Sequence, residues 1–132
     1  MSLVLINIGH CGNQIGKDFL KKTEKEKAKD HGSPFVHHDK TFRCVVVDSE
    51  PKVVVDMKKE FRSSLPDRKL VEGKGSRGCN WALGYHGVNG ENLLESSLNA
   101  VRLEAEKCDC FSGSIVLHSL TGGTGGGEQT YM

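Results

Sequence analysis

A strand-like run, Ser114-Ile-Val-Leu-His-Ser-Leu120, feeds directly into Thr121-Gly-Gly-Thr-Gly-Gly-Gly127. Few chain segments restrict a fold more. Six residues with almost no side chain cannot fill a core. After a strand, however, they let backbone N–H groups approach an anion without Cβ atoms in the way. A helix start beyond such a turn adds its dipole and free amides to the same place. Only Glu128-Gln-Thr-Tyr-Met132 follows, too short for a full helix, so the sequence predicts part of a nucleotide-binding domain.

The remaining pattern is that of an α/β domain. Leu3–Ile8 reads as a buried strand. Gly9–Gly12 reads as a turn, and Asn13 as the N-cap of a helix from Gln14 whose apolar face is Ile15, Phe19 and Leu20. Lys21–Asp30 is charged, and is expected to be helical only as a solvated arm. Phe42–Val47 is a second strand ending in Asp48-Ser49-Glu50-Pro51, and Pro51 suits the first turn of a helix over Val53–Phe61. Arg62–Gly78 is polar and glycine-bearing, and is expected to be a long loop. Leu94, Leu98, Val101 and Ala105 recur at helical spacing inside Glu91–Lys107. Alternating strands and helices predict a mainly parallel sheet with helices on both faces and ligands at the strands' carboxyl ends. Three features fall there: Gly9–Gly12, Asp48–Glu50 and Thr121–Gly127.

Charge nearly cancels, with 18 basic and 17 acidic residues. Nothing points to nucleic acid or a membrane surface, and no run approaches the roughly 20 apolar residues of a spanning helix. Five cysteines, an odd number outside any staple-like frame, and no secretory signal predict a reducing cytoplasmic setting.

The glycine loop is not a Walker A motif, because no Gly-Lys-Ser/Thr follows and Glu128 stands in the lysine's place. Nor does it fit the dinucleotide fingerprint. Asp48 and Glu50 read either as strand-end polar residues or as carboxylates that hold Mg²⁺ beside phosphate oxygens. Competing readings use other residues. His37, His38, Cys108 and Cys110 offer zinc-compatible side chains, and Cys11 or Cys108 could serve redox chemistry.

In order along the chain, Gly9-His-Cys-Gly-Asn-Gln-Ile-Gly16, Val47-Asp-Ser-Glu-Pro51, Asn80-Trp-Ala-Leu-Gly84, Glu106-Lys-Cys-Asp109 and Ser119-Leu-Thr-Gly-Gly-Thr-Gly-Gly-Gly127 resemble the corresponding motifs of tubulins. Glu50-Pro-Lys52 and Glu106–Gly113 look more like the minor delta- or zeta-type tubulins. The resemblance implies a Rossmann-like guanine-nucleotide domain with GTP and Mg²⁺ as ligands. It also implies other tubulin subunits, microtubules or centriolar proteins as partners, in the cytoplasm and cytoskeleton. Carried across residue by residue, it sets Gly9, His10, Cys11 and Gln14 at the diphosphate and Asn80 on the terminal-phosphate side. Ser119, Gly123, Thr124 and Gly125 would wrap the phosphates, and Glu50 would hold Mg²⁺ with support from Asp48. His10 stands where the family has glutamine, and Cys79 where it has the first of two asparagines. By the same resemblance, the acidic residue that promotes GTP hydrolysis lies outside this chain, so no catalytic residue is assigned. Residues 1–132 are expected to be the N-terminal part of the GTP-binding domain in a truncated chain; the alternative is a nonfunctional or partner-interfering fragment.

Overall fold

In the computed structural model, residues 1–27, 32–86 and 93–131 are described. Four parallel strands form one sheet in the order β3-β2-β1-β4: β1 (Ser2–Ile8), β2 (Cys44–Asp48), β3 (Leu70–Glu72) and β4 (Phe111–Leu117). Among the described residues, five helices accompany them: α1 (Gly9–Lys27), α2 (Pro51–Glu60), α3 (Trp81–His86), α4 (Leu93–Glu106) and α5 (Thr124–Gly127). Short 3₁₀ turns cover Asp67–Lys69 and Glu128–Tyr131.

Parallel strands need crossovers, and the crossovers bury both sheet faces. The alternation along β1 and β2 divides the core accordingly. Leu5, Cys44 and Val46 face α1 and α2, where they pack with Leu20, Val54, Met57, Phe42 and Phe61. Val4, Ile6, Ile8, Val45 and Val47 face α4 and pack with Leu93 and Ala100. β2 is buried along its whole length, which is why its sequence is a continuous apolar run. β4, at the sheet's edge, leaves Phe111, Ile115 and Val116 exposed.

The sequence-based expectations hold for the parallel α/β class and fail at specific boundaries. α1 starts at Gly9, not Gln14. Gly9 takes φ +75°, turning the chain from strand into helix within one residue, so no separate turn or Asn13 cap is needed. The charged arm is helical to Lys27, and it is anchored. Thr23 is buried, while the Lys27 ammonium sits 3.7 Å over the Phe42 ring and donates to Lys40 O at 2.8 Å. The expected loop over Arg62–Gly78 contains β3, held by parallel pairing of Val46 with Leu70 and Asp48 with Glu72. β4 lies about one turn of chain earlier than expected, at Phe111–Leu117. Helix α4 begins at Leu93; Glu91 lies outside the described residues, as do Ala28–His31 and Met132. A further helical turn, α5, starts inside the glycine run itself.

Candidate functional site

The strand order reverses at β1. The chain moves outward through β2 and β3 on one side and returns to place β4 on the other. In open parallel sheets, ligands bind at the carboxyl ends of the strands where the connections diverge, which here is the end of β1 and β4. Gly9 ends β1 there, and His118 and Ser119 follow β4.

Close approach of backbones builds this end. A Cβ at Gly9 would lie 2.9 Å from the Gly125 nitrogen, so α1 and α5 begin against each other. A Cβ at Gly12 would collide with the Leu117 carbonyl oxygen, and one at Gly84 with the Gly123 carbonyl oxygen. One at Gly127 would lie 2.5 Å from the Tyr85 nitrogen. The glycines therefore do two jobs. Gly9 and Gly125 bring the starts of α1 and α5 together, whereas Gly12, Gly84, Gly123 and Gly127 let α1, α3 and the glycine loop pack at backbone distance.

The first turn of α1 carries His10, Cys11 and Gln14, all exposed, and Gln14 Nε2 stands 3.0 Å from His10 Nε2. The leading N–H groups of this 19-residue helix have no intrahelical acceptors, and its dipole favours an anion at that end. Asn13 points inward instead. Its amide donates to Gly9 O at 2.9 Å and to Val47 O at 3.1 Å, tying the helix start to the end of β2.

The Asp48–Glu50 turn is held from three directions. Asp48 Oδ1 accepts from the Glu50 N–H at 3.0 Å. The Gly73 N–H donates to Asp48 O and the Gly75 N–H to Ser49 O. Asp48 is 2% exposed, and among the described residues its Oδ2 has no hydrogen-bond partner. Burial pushes its carboxyl above the usual range. Glu50 adds to the upward shift, while the Glu50 N–H bond and nearby His10 oppose it. Glu50 opens α2 at the N-cap position, but its side chain makes no capping bond. A buried carboxylate oxygen without a donor, next to a second uncommitted carboxylate, is the donor set that a hard divalent cation uses. The residues present fit Mg²⁺.

Asn80 caps α3, its Oδ1 accepting from Ala82 N at 3.0 Å and Leu83 N at 3.4 Å, which leaves its Nδ2 for other contacts. Ser119 donates its hydroxyl to Thr121 O. The Gly123 N–H is taken by Gly78 O at 3.2 Å. Thr124 opens α5, and its hydroxyl lies 2.6 Å from that of Ser49. Sequence reasoning passed over Ser49, whose only signal was its place between two carboxylates. The fold thus gathers His10, Cys11, Gln14, Asp48, Glu50, Ser119, Thr124 and Gly125 around one end of the sheet, with Asn80 on the neighbouring α3.

The rival sites fare differently. His37 is buried with its Nε2 2.9 Å from Glu104 Oε2, at the opposite end of the sheet beside a cavity of about 1070 Å³. His38 is exposed and pairs with Asp109 at 3.6 Å. Cys108 Sγ donates to Glu104 O. Among the described residues, no cluster of three or more His, Cys, Asp or Glu side chains could hold a metal.

Comparison with known proteins agrees with the topology. The family model for the Tubulin/FtsZ family, GTPase domain, matches residues 2–132. A tubulin beta chain of Bombyx mori is 37% identical over 150 aligned positions, covering 98% of this chain and 33% of that protein. The tubulin beta-1 chain of Homo sapiens is 35% identical over the same span, and a tubulin beta chain of Porphyra purpurea 37%. The chain spans about a third of the length of these relatives. All three are beta chains, which lends no support to a delta- or zeta-like placement. On a match that runs from residue 2 to residue 132, this chain belongs to the Tubulin/FtsZ family and corresponds to its GTPase domain.

Proposed function

We propose that this chain binds GTP through its phosphates at the carboxyl end of the sheet, with Mg²⁺ held by Glu50 and Asp48. The observation that carries the reading is that the segments following β1, β2 and β4 come together at one end of the sheet, with Gly9 against Gly125 and Ser49 against Thr124. His10, Cys11 and Gln14 face the diphosphate from the first turn of α1. Thr124 and Gly125 of α5 and Ser119 would contact the phosphates, and Asn80, whose Nδ2 is not used in capping α3, would serve the terminal phosphate. Gly123 contributes by packing, since its amide is committed to Gly78. Bound Mg²⁺ supplies neutralisation of the phosphate charge. Partners follow the family: other tubulin subunits and microtubules, in the cytoplasmic cytoskeleton.

Thermal unfolding with Mg²⁺ alone, Mg·GTP and Mg·ATP tests this. Ligand at 100 times its Kd stabilises by about 2.7 kcal/mol, which for a chain of this size raises Tm by about 10 °C. A rise with GTP is expected, and a comparable one with ATP, because every contact proposed is to phosphate or metal. No rise with either nucleotide refutes the proposal.

A further inference from the structure

We infer that Ser49 is a positioning residue for phosphate recognition: it donates its hydroxyl proton to Thr124 Oγ1 and so leaves the Thr124 proton for a phosphate oxygen. This rests on the GTP-binding reading above.

Ser49 and Thr124 are 1% and 9% exposed, and their hydroxyl oxygens stand 2.6 Å apart. At that separation one proton lies between the oxygens. The accepting hydroxyl still carries its own, and among the described residues neither oxygen makes another hydrogen bond. A buried O–H without an acceptor is unfavourable, so the pair holds an unspent donor. Which hydroxyl keeps it follows from position. Ser49 is the deeper of the two, and its backbone is fixed by the Gly75 N–H on its carbonyl. Thr124 opens α5 beside Gly125, which packs against Gly9 where the first turn of α1 begins. Thr124 is the more exposed of the two and stands beside Gly125 on the glycine loop, so its proton is the one available to an anion there. A phosphate oxygen completes the chain Ser49 to Thr124 to phosphate, and the charged acceptor polarises both bonds. Ser49 never touches the ligand. It sets the direction of the hydroxyl that does, and it couples the carboxylate turn to the glycine loop.

A double-mutant cycle on Mg·GTP affinity, read by titration calorimetry, decides the matter. Thr124→Val is expected to weaken binding roughly tenfold or more, the size of a hydrogen bond to a charged group. Ser49→Ala is expected to weaken it by several-fold. The double variant should be no weaker than Thr124→Val alone, because Ser49 acts only through Thr124. Ser49→Thr, which keeps the donor, should bind within about twofold of wild type. Thermal unfolding without ligand checks that each variant folds. Should Ser49→Ala fail to fold, Ser49→Cys replaces it in the cycle and is expected to lose affinity, since a thiol is a weak donor. Wild-type affinity in Ser49→Ala or Ser49→Cys, or losses that multiply in the double variant, overturns the inference alone. Absence of GTP binding by the wild-type chain overturns the proposed function and this inference with it.

Discussion

Replacing Glu104 with alanine should cost a large part of this chain's stability, because it leaves a buried charge without its counter-ion. Glu104 is 2% exposed, and its Oε2 accepts from His37 Nε2 and from Lys69 Nζ, each at 2.9 Å. Lys69 is fully buried, and its ammonium also donates to Phe42 O. One carboxylate therefore joins α4, the 3₁₀ turn before β3 and the segment ahead of β2. Without it, Lys69 keeps, among the described residues, the Phe42 carbonyl as its partner. Removing one member of a buried pair costs about 3–5 kcal/mol, against a total stability of about 5–15 kcal/mol. With about 2.1 cal/mol/K per residue at the midpoint, Glu104→Ala should lower Tm by about 11–18 °C. Urea unfolding followed by circular dichroism supplies the same difference isothermally. The double variant Lys69→Met/Glu104→Leu removes both charges together, and should recover to within about 2 kcal/mol of wild type. Proton linkage gives a second reading. Burial is the largest influence on His37 and lowers its pKa, against the opposing Glu104 bond. An unfolded His37 takes a proton at its ordinary pKa and the folded one resists it. Stability is then full above about pH 6.5 and declines as pH falls below it; His37→Gln should flatten that decline. A cost below about 1 kcal/mol for Glu104→Ala would refute the claim that the Lys69 charge depends on it.

Three further outcomes follow from the site. Gly84→Ala would set a Cβ against the Gly123 carbonyl oxygen; overpacking of this kind costs about 1–3 kcal/mol, measurable by urea unfolding, and should weaken GTP binding as the glycine loop shifts. Asp48→Asn should raise the ligand-free Tm at neutral pH and abolish any Mg²⁺-dependent gain with GTP. The sign follows from a carboxyl whose folded pKa is raised by burial: its contribution is present at acid pH and lost as pH rises through the folded value. Alkylation followed by mass spectrometry should label Cys11, Cys79 and Cys110 first. Cys44, fully buried with its thiol pushed up to about 12, should stay unmodified in the native state; Mg·GTP should slow labelling of Cys11 and leave Cys110 unchanged.

The sequence made the fold class readable where periodicity was strong and local. β1, β2, α2 and α4 each declare themselves through apolar runs or helical spacing. β3 does not, because three residues, Leu70-Val-Glu72, carry no period; only pairing with β2 makes them a strand. α3 is also short, at six residues, and its N-cap Asn80 looked like a ligand rather than a cap. Asn13 shows the reverse error. An asparagine after Gly12 suggested a cap, whereas its amide crosses to the end of β2, a contact between residues 34 positions apart. The glycine run was half understood. Gly9 answers to a positive φ and to the Gly125 amide, and Gly12, Gly84, Gly123 and Gly127 to other neighbouring backbones, contacts that no local pattern reveals. His37 suggested a metal ligand until the fold brought Glu104 and Lys69, from distant parts of the chain, into contact around it.

Amide hydrogen exchange with and without Mg·GTP tests the location of the site most directly. The account predicts slowed exchange confined to residues 9–14, 48–50 and 119–127, with little change at residues 33–43 on the opposite end of the sheet. Protection centred on residues 33–43, or none at residues 9–14 and 124–126 under saturating Mg·GTP, would contradict it.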